Sequence, residues 1–215
     1  MRKVFGEYVG TATLVAIVVG SGIMATNLSK DVGVQLLINT ISTVFGLAVL
    51  IQVLGPISGA NLNPVVTMVD LIQKRTNLLT FIQYVFAQTA GAITGAILAN
   101  AMFDHPLIEI SKKVRSGSNQ YLGEIVATAG LILIINLMIH QEKTALIPVI
   151  VASWIGSAYF FTSSTSFANP AVTVGRIFSD SFAGIAPGCV LKFVTAQILG
   201  ALIGLGLTKV LTNDK

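Results

Sequence analysis

Hydrophobic residues fall in long blocks along this chain rather than in alternation. Six blocks, near 5–25, 34–54, 78–103, 121–140, 145–161 and 188–211, are apolar and almost free of charge. Crossing a bilayer takes roughly 20 apolar residues. Backbone in lipid must also satisfy its own hydrogen bonds. Each block therefore predicts a transmembrane α-helix. The fifth is short and carries Pro148, so it is expected to extend slightly into the preceding "HQEKT" or past Phe161. Two leftover apolar pieces, near 64–73 and 170–178, are about ten residues each, too short to span.

Both short pieces begin Asn-Pro: "SGANLNPVVT" (58–67) and "SFANPAVTVGR" (166–176). Asparagine is a favoured N-cap, and proline suits the first helical position because that position needs no N–H. The pattern predicts two re-entrant half-helices starting at membrane depth, where irregular backbone survives only inside protein or along a wet cavity. Each start brings about half a positive charge from its helix dipole. With the side-chain oxygens of Asn63 and Asn169 capping their helices, the amide NH2 groups are left to face a lumen. A neutral solute with lone pairs then finds donors, while a cation or proton chain meets positive potential. Pro64 stacked on Pro170 would lock the two ends.

The chain also repeats itself. "FGEYVGTAT" (5–13) matches "LGEIVATAG" (122–130), "NPVVT" (63–67) matches "NPAVT" (169–173), and "AQTAGAITG" (87–95) matches "AQILGALIG" (196–204). Each half holds three spans, so the second half is inverted and the functional site is expected at the midplane between repeats. The expected layout is one transmembrane domain over 1–215, with repeats about 1–103 and 121–215 joined by loop 104–120.

Composition fits a membrane protein: 53% hydrophobic and 10% charged, against about 25% charged in soluble domains. The +4 net charge is scattered, with no dense basic run for nucleic acid. The single Cys189 makes no internal disulfide or metal site. No catalytic pattern stands out, so neither enzyme activity nor a cofactor or metal is expected. "MRK" opens a retained first span without a clear cleavage site. Arg2, Lys3 and the Lys74–Arg75 pair favour an N-terminus inside, although the overall count, with Lys143, Lys209 and Lys215 also inside, is only seven basic residues against six.

Two Asn-Pro turns on inverted halves, with a glutamate in the first span of each, resemble the aquaporin, or major intrinsic protein, family over nearly the whole chain. The resemblance implies an all-α membrane protein: a right-handed bundle of six transmembrane helices plus two half-helices. It also implies passive flux of water or small neutral solutes, a homotetramer with one pore per subunit in membrane lipid, and a cell-membrane location with cytoplasmic termini. Asn63, Pro64 and Val65, and Asn169, Pro170 and Ala171, stand at the pore motifs, with Val65 replacing the usual alanine.

Most relatives place arginine straight after the second motif. Here Val172 stands there, and the nearest arginine is Arg176, one turn of about 5.4 Å further along the same face. Arg176 is expected in the outer vestibule, paired with Asp180. The family's spacing assigns the remaining filter positions to Ser166, Ser157 and Thr43, with Phe45 as the alternative to Thr43. Such a ring is uncharged and wider than a water filter. It implies passage of glycerol, urea or undissociated metalloid acids such as arsenite. Glu7 and Glu124 read either as loop anchors, which a repeated scaffold favours, or as proton-coupling groups. Asn39, Asn136, Gln88 and Gln197 read as interhelical hydrogen-bond partners. Phe160, Phe161, Phe167, Tyr159 and Trp154 read as packing residues. An alternating-access transporter and a closed structural membrane protein remain the competing classes.

Overall fold

The computed structural model describes residues 1–212, leaving Lys215 and the last residues of the second repeat outside the described part. The chain forms α1 (Arg2–Leu28), α2 (Val32–Ser58), α3 (Pro64–Ile72), α4 (Leu78–Met102), α5 (Ser118–His140), α6 (Ile147–Phe161), α7 (Pro170–Gly175) and α8 (Pro187–Thr212). Short 3₁₀ turns precede α6 (Thr144–Leu146) and follow α7 (Arg176–Phe178). There is no strand among the described residues. With the turn before α6 included, six helical segments among the described residues are long and apolar enough to cross a membrane. The first turn supplies what the fifth block lacked.

The two halves pack by the same device. α1 lies along α4, and α5 along α8. At Gly91 and Gly95 an added Cβ would run into Tyr8 O and Ala12 O of α1. At Gly200 and Gly204 it would meet Ile125 O and Ala129 O of α5. Lipid gives helices no hydrophobic drive to associate, so backbone-to-backbone approach at small residues is what holds such pairs. Asn39 of α2 adds bonds from Nδ2 to Val18 O and Ser21 Oγ of α1, both 2.8 Å. The half-helices α3 and α7 fill the middle. Val65, Val69, Ala171 and Val172 join the main buried core, beside Val15, Val19, Ala92 and Ile132.

Candidate functional site: a pore at the repeat interface

Each half-helix is started by its asparagine. Asn63 Oδ1 accepts from Val65 N at 3.0 Å. Asn169 Oδ1 accepts from Ala171 N at 3.0 Å and Val172 N at 3.2 Å. The amides then cross between halves. Asn63 Nδ2 donates to Ala168 O at 2.8 Å, and Asn169 Nδ2 donates to Leu62 O at 2.8 Å. The amide expected to be wholly free is therefore half committed: one N–H ties the repeats together and the second is left for the cavity.

The backbone leading into both turns is strained in the same way. Ala60 and Leu62 have φ of 49°, and Ser166 and Ala168 have 50° and 48°. Left-handed backbone at non-glycine residues costs on the order of 1–3 kcal/mol each and persists only where the surroundings enforce it. Here the two buried glutamates enforce it. Glu7 accepts from Asn61 N at 3.1 Å, Leu62 N at 2.6 Å, Ser58 Oγ at 2.7 Å and Gln88 Nε2 at 2.8 Å. Glu124 accepts from Phe167 N and Ala168 N at 2.9 Å and from Gln197 Nε2 at 2.6 Å. The glutamine amides continue to Thr67 and Thr173, whose hydroxyls donate to Asn63 O and Asn169 O. Both carboxylates are completely buried. With their lone pairs spent on loop N–H groups, neither faces the cavity.

That loop geometry frees a line of carbonyls. Among the described residues, no hydrogen bond within the chain engages Ala60 O, Asn61 O, Ser166 O or Phe167 O. All four residues line a cavity of about 290 Å³ that also touches Asn63 and Asn169. The facing wall is mostly apolar, built from stripes at i,i+4 spacing: Leu14 and Val18 on α1, Thr43, Leu47 and Ile51 on α2, Leu131, Ile135 and Ile139 on α5, and Ile147, Val151, Ile155 and Tyr159 on α6. One side of the passage is polar backbone and amide; the other is hydrocarbon.

The stripes correct one expectation about the filter and decide between two alternatives. Ser157 is exposed on the outer face of α6, because two residues turn a helix about 200° away from Tyr159. Tyr159 takes the lumen position instead; it is buried, and its hydroxyl donates to Thr43 Oγ1 at 3.3 Å. Phe45 is 69% exposed, again two residues off its stripe, so of the two alternatives it is Thr43 that lines the cavity. Ser166 and Val172 are buried and line the cavity, and Ser166 Oγ has no partner within the chain. Phe167, read from sequence as packing, also lines the cavity. The missed signal was periodicity: following 147, 151, 155 and 159 from turn to turn finds Tyr159, whereas counting back from Asn169 does not.

Arg176 is buried and lines the cavity one turn beyond Val172. It has no ion pair with Asp180, whose Oδ1 instead accepts from Lys112 N at 3.0 Å. Arg176 Nε donates to Ala183 O, and its guanidinium lies 3.3 Å from the centroid of the Phe167 ring. Arg115 stands 4.9 Å from the same centroid. It donates to Gly184 O at 2.8 Å and Phe182 O at 3.2 Å. Burial pushes Arg115 down to about 10. At the opposite end, Asp70 and Arg75 line the same cavity and form an ion pair at 2.7 Å. No group of three or more His, Cys, Asp or Glu side chains able to hold a metal occurs among the described residues.

Comparison with known proteins fits this geometry. The sequence model of the major intrinsic protein family matches residues 1–168, from the first span to the residue before the second Asn-Pro. The chain belongs to this family. It is a multi-pass membrane protein. The chain is 46% identical over 210 residues to aquaglyceroporin AqpS of Rhizobium meliloti (strain 1021), covering 97% of this chain and 89% of that protein. It is 40% identical over 97 residues to aquaporin-5 of Mus musculus, 44% of this chain and 34% of that one. The solved aquaglyceroporin from Plasmodium falciparum shares the fold at a TM-score of 0.70 and 20% identity, over 98% of this chain and 96% of its own.

Proposed function

We propose that this protein is a passive channel for water and small neutral solutes, with a pore wide enough for glycerol, urea and undissociated metalloid acids such as arsenite. The observation that carries the reading is the reciprocal Asn63–Ala168 and Asn169–Leu62 crossing inside one cavity. It leaves one amide N–H per half and a line of free carbonyls facing a hydrocarbon wall. A polyol matches that wall twice: its hydroxyls replace lost water contacts along the polar side, and its carbons lie on the stripes.

The outer filter is Thr43, Tyr159, Ser166 and Val172, uncharged at the level where most relatives place arginine. Arg176 supplies positive charge one turn further out, against cations. Glu7 and Glu124 serve as loop anchors, which removes the charged midplane groups a coupled transporter needs. Arg2, Lys3, Lys74 and Arg75 share one end of the bundle, so the termini are assigned to the cytoplasm and Arg176 to the outer mouth of a cell-membrane protein. Residues 1–215 act as one domain, and four copies assemble around lipid-shielded faces with a pore in each.

Stopped-flow light scattering of proteoliposomes tests this. Water flux is read as shrinkage in sucrose, and solute flux as re-swelling in glycerol or urea. Unsaturated flux that needs no ion gradient is expected. Water flux without glycerol flux overturns the wide filter, and saturable flux dependent on a proton or Na⁺ gradient overturns the channel.

A further inference from the structure

The two repeats are alike in fold but not at their mouths. Seven residues beyond each pore asparagine the chain places Asp70 in the first half and Arg176 in the second. Both side chains line the cavity, one at each end. Arg176 is held within its own half, by Ala183 O and the Phe167 ring. Asp70 is engaged across the mouth. Arg75 Nε and Nη2 both reach Asp70 Oδ1, at 2.8 and 2.7 Å. Arg75 Nη1 then donates at 2.9 Å to Asn136 Oδ1, on α5 of the other half. Asn136 is fixed in turn by Nδ2 donating to Ile132 O at 2.8 Å. On the near side, Asn61 Nδ2 donates to Asp70 Oδ2 at 3.0 Å, and Asn61 N is held by Glu7.

We infer that Arg75 is the bar of a second selecting station at this mouth, stretched between Asp70 of one repeat and Asn136 of the other. All three guanidinium nitrogens are engaged, so the side chain is fixed in one plane rather than swinging in solvent. A planar fork bonded at both ends holds a defined aperture, which a flexible ammonium does not. The side chains of Arg75 and Asp70 are 30% and 20% exposed, so water reaches the pair from the mouth. With Val172 leaving the far filter uncharged, solutes that clear it are sorted here by width. Arg75 also neutralises Asp70, which would otherwise draw cations into this end.

The inference rests on the channel reading. The test compares stopped-flow flux of glycerol with that of a five-carbon polyol in proteoliposomes of the full chain. Arg75→Ala, Arg75→Lys and Asn136→Ala each open the bar, Asn136→Ala while keeping the Arg75–Asp70 pair. A severalfold rise in the polyol-to-glycerol flux ratio is expected in all three. Circular dichroism and size-exclusion elution establish that each variant is folded. An unchanged ratio in folded variants, including a parallel fall of both fluxes as a merely structural tie would give, overturns the inference and leaves the channel standing. A parent protein that conducts neither water nor glycerol overturns the channel reading itself.

Discussion

Asn63 and Asn169 show how much one side chain can be asked to do. Each caps a helix with its oxygen and joins the repeats with one N–H, so substitution removes both at once. The filter residues are simpler, since each presents one surface to the passage. Val172→Arg is expected to cut glycerol flux more than water flux, measured side by side in proteoliposomes, because a guanidinium there would narrow the ring and crowd the existing Arg176. Glu124 is the anchor most exposed to a conservative change. In Glu124→Gln an NH2 replaces one acceptor, so the N–H of Phe167 or Ala168 loses its partner beside strained backbone. A loss of about 1.5–3 kcal/mol is expected from one charged hydrogen bond. It should appear as a lower melting temperature in detergent, with Glu7→Gln behaving alike. The asparagines and glutamates were legible in sequence because they recur at matched positions in the two halves. Tyr159 was not, since nothing repeats it and its role depends on which face of α6 meets the cavity.

Helix pairing rests on small residues at chosen turns. Gly95→Val pushes a side chain into Ala12 O, and Gly204→Val pushes one into Ala129 O. Overpacking costs typically about 1–3 kcal/mol, and both variants are expected to melt earlier in detergent. Gly206→Ala is the control. Nothing lies within 4 Å of its added Cβ, so no loss of melting temperature is expected. The eight helices described were legible to within about four residues at each end, because lipid leaves an apolar block few alternatives to a helix and Asn-Pro marks a start. The turn at Thr144–Leu146 falls where the fifth block is expected to extend, at the end of "HQEKT".

Across the whole molecule, the halves are joined by a connecting segment that packs against the loop between α7 and α8. Its Lys113 donates to Phe182 O, while Ala186 N donates back to Lys113 O at 2.8 Å. Burial pushes the Lys113 ammonium from 10.5 down to about 8, with the charges of Arg115 and Arg176 acting in the same direction. Between those values the unfolded chain binds more protons than the folded one, so this group makes stability rise with pH through that window. Lys113→Met is expected to flatten the rise, read as melting temperature from pH 7.5 to 10.5, with the part due to Arg115 remaining at the upper end. That segment carried no sequence signal beyond its polarity, because the Lys113 and Arg115 side chains bond mainly to backbone carbonyls some 70 residues away, which almost any sequence can supply.

The sequence by itself determined the helices, the inverted repeat and the two capped turns, because each follows from local chemistry: length of apolar run, proline geometry, an asparagine cap. Tertiary structure alone decided which side of each helix became the wall of the passage. It selected Tyr159 over Ser157 and Thr43 over Phe45, and it carried Arg75 across one mouth to Asn136. The reason is rotational. A helix tells its neighbours apart only by the angle at which it packs, and in a chain apolar on every side, that angle is set by contacts between segments far apart in the sequence.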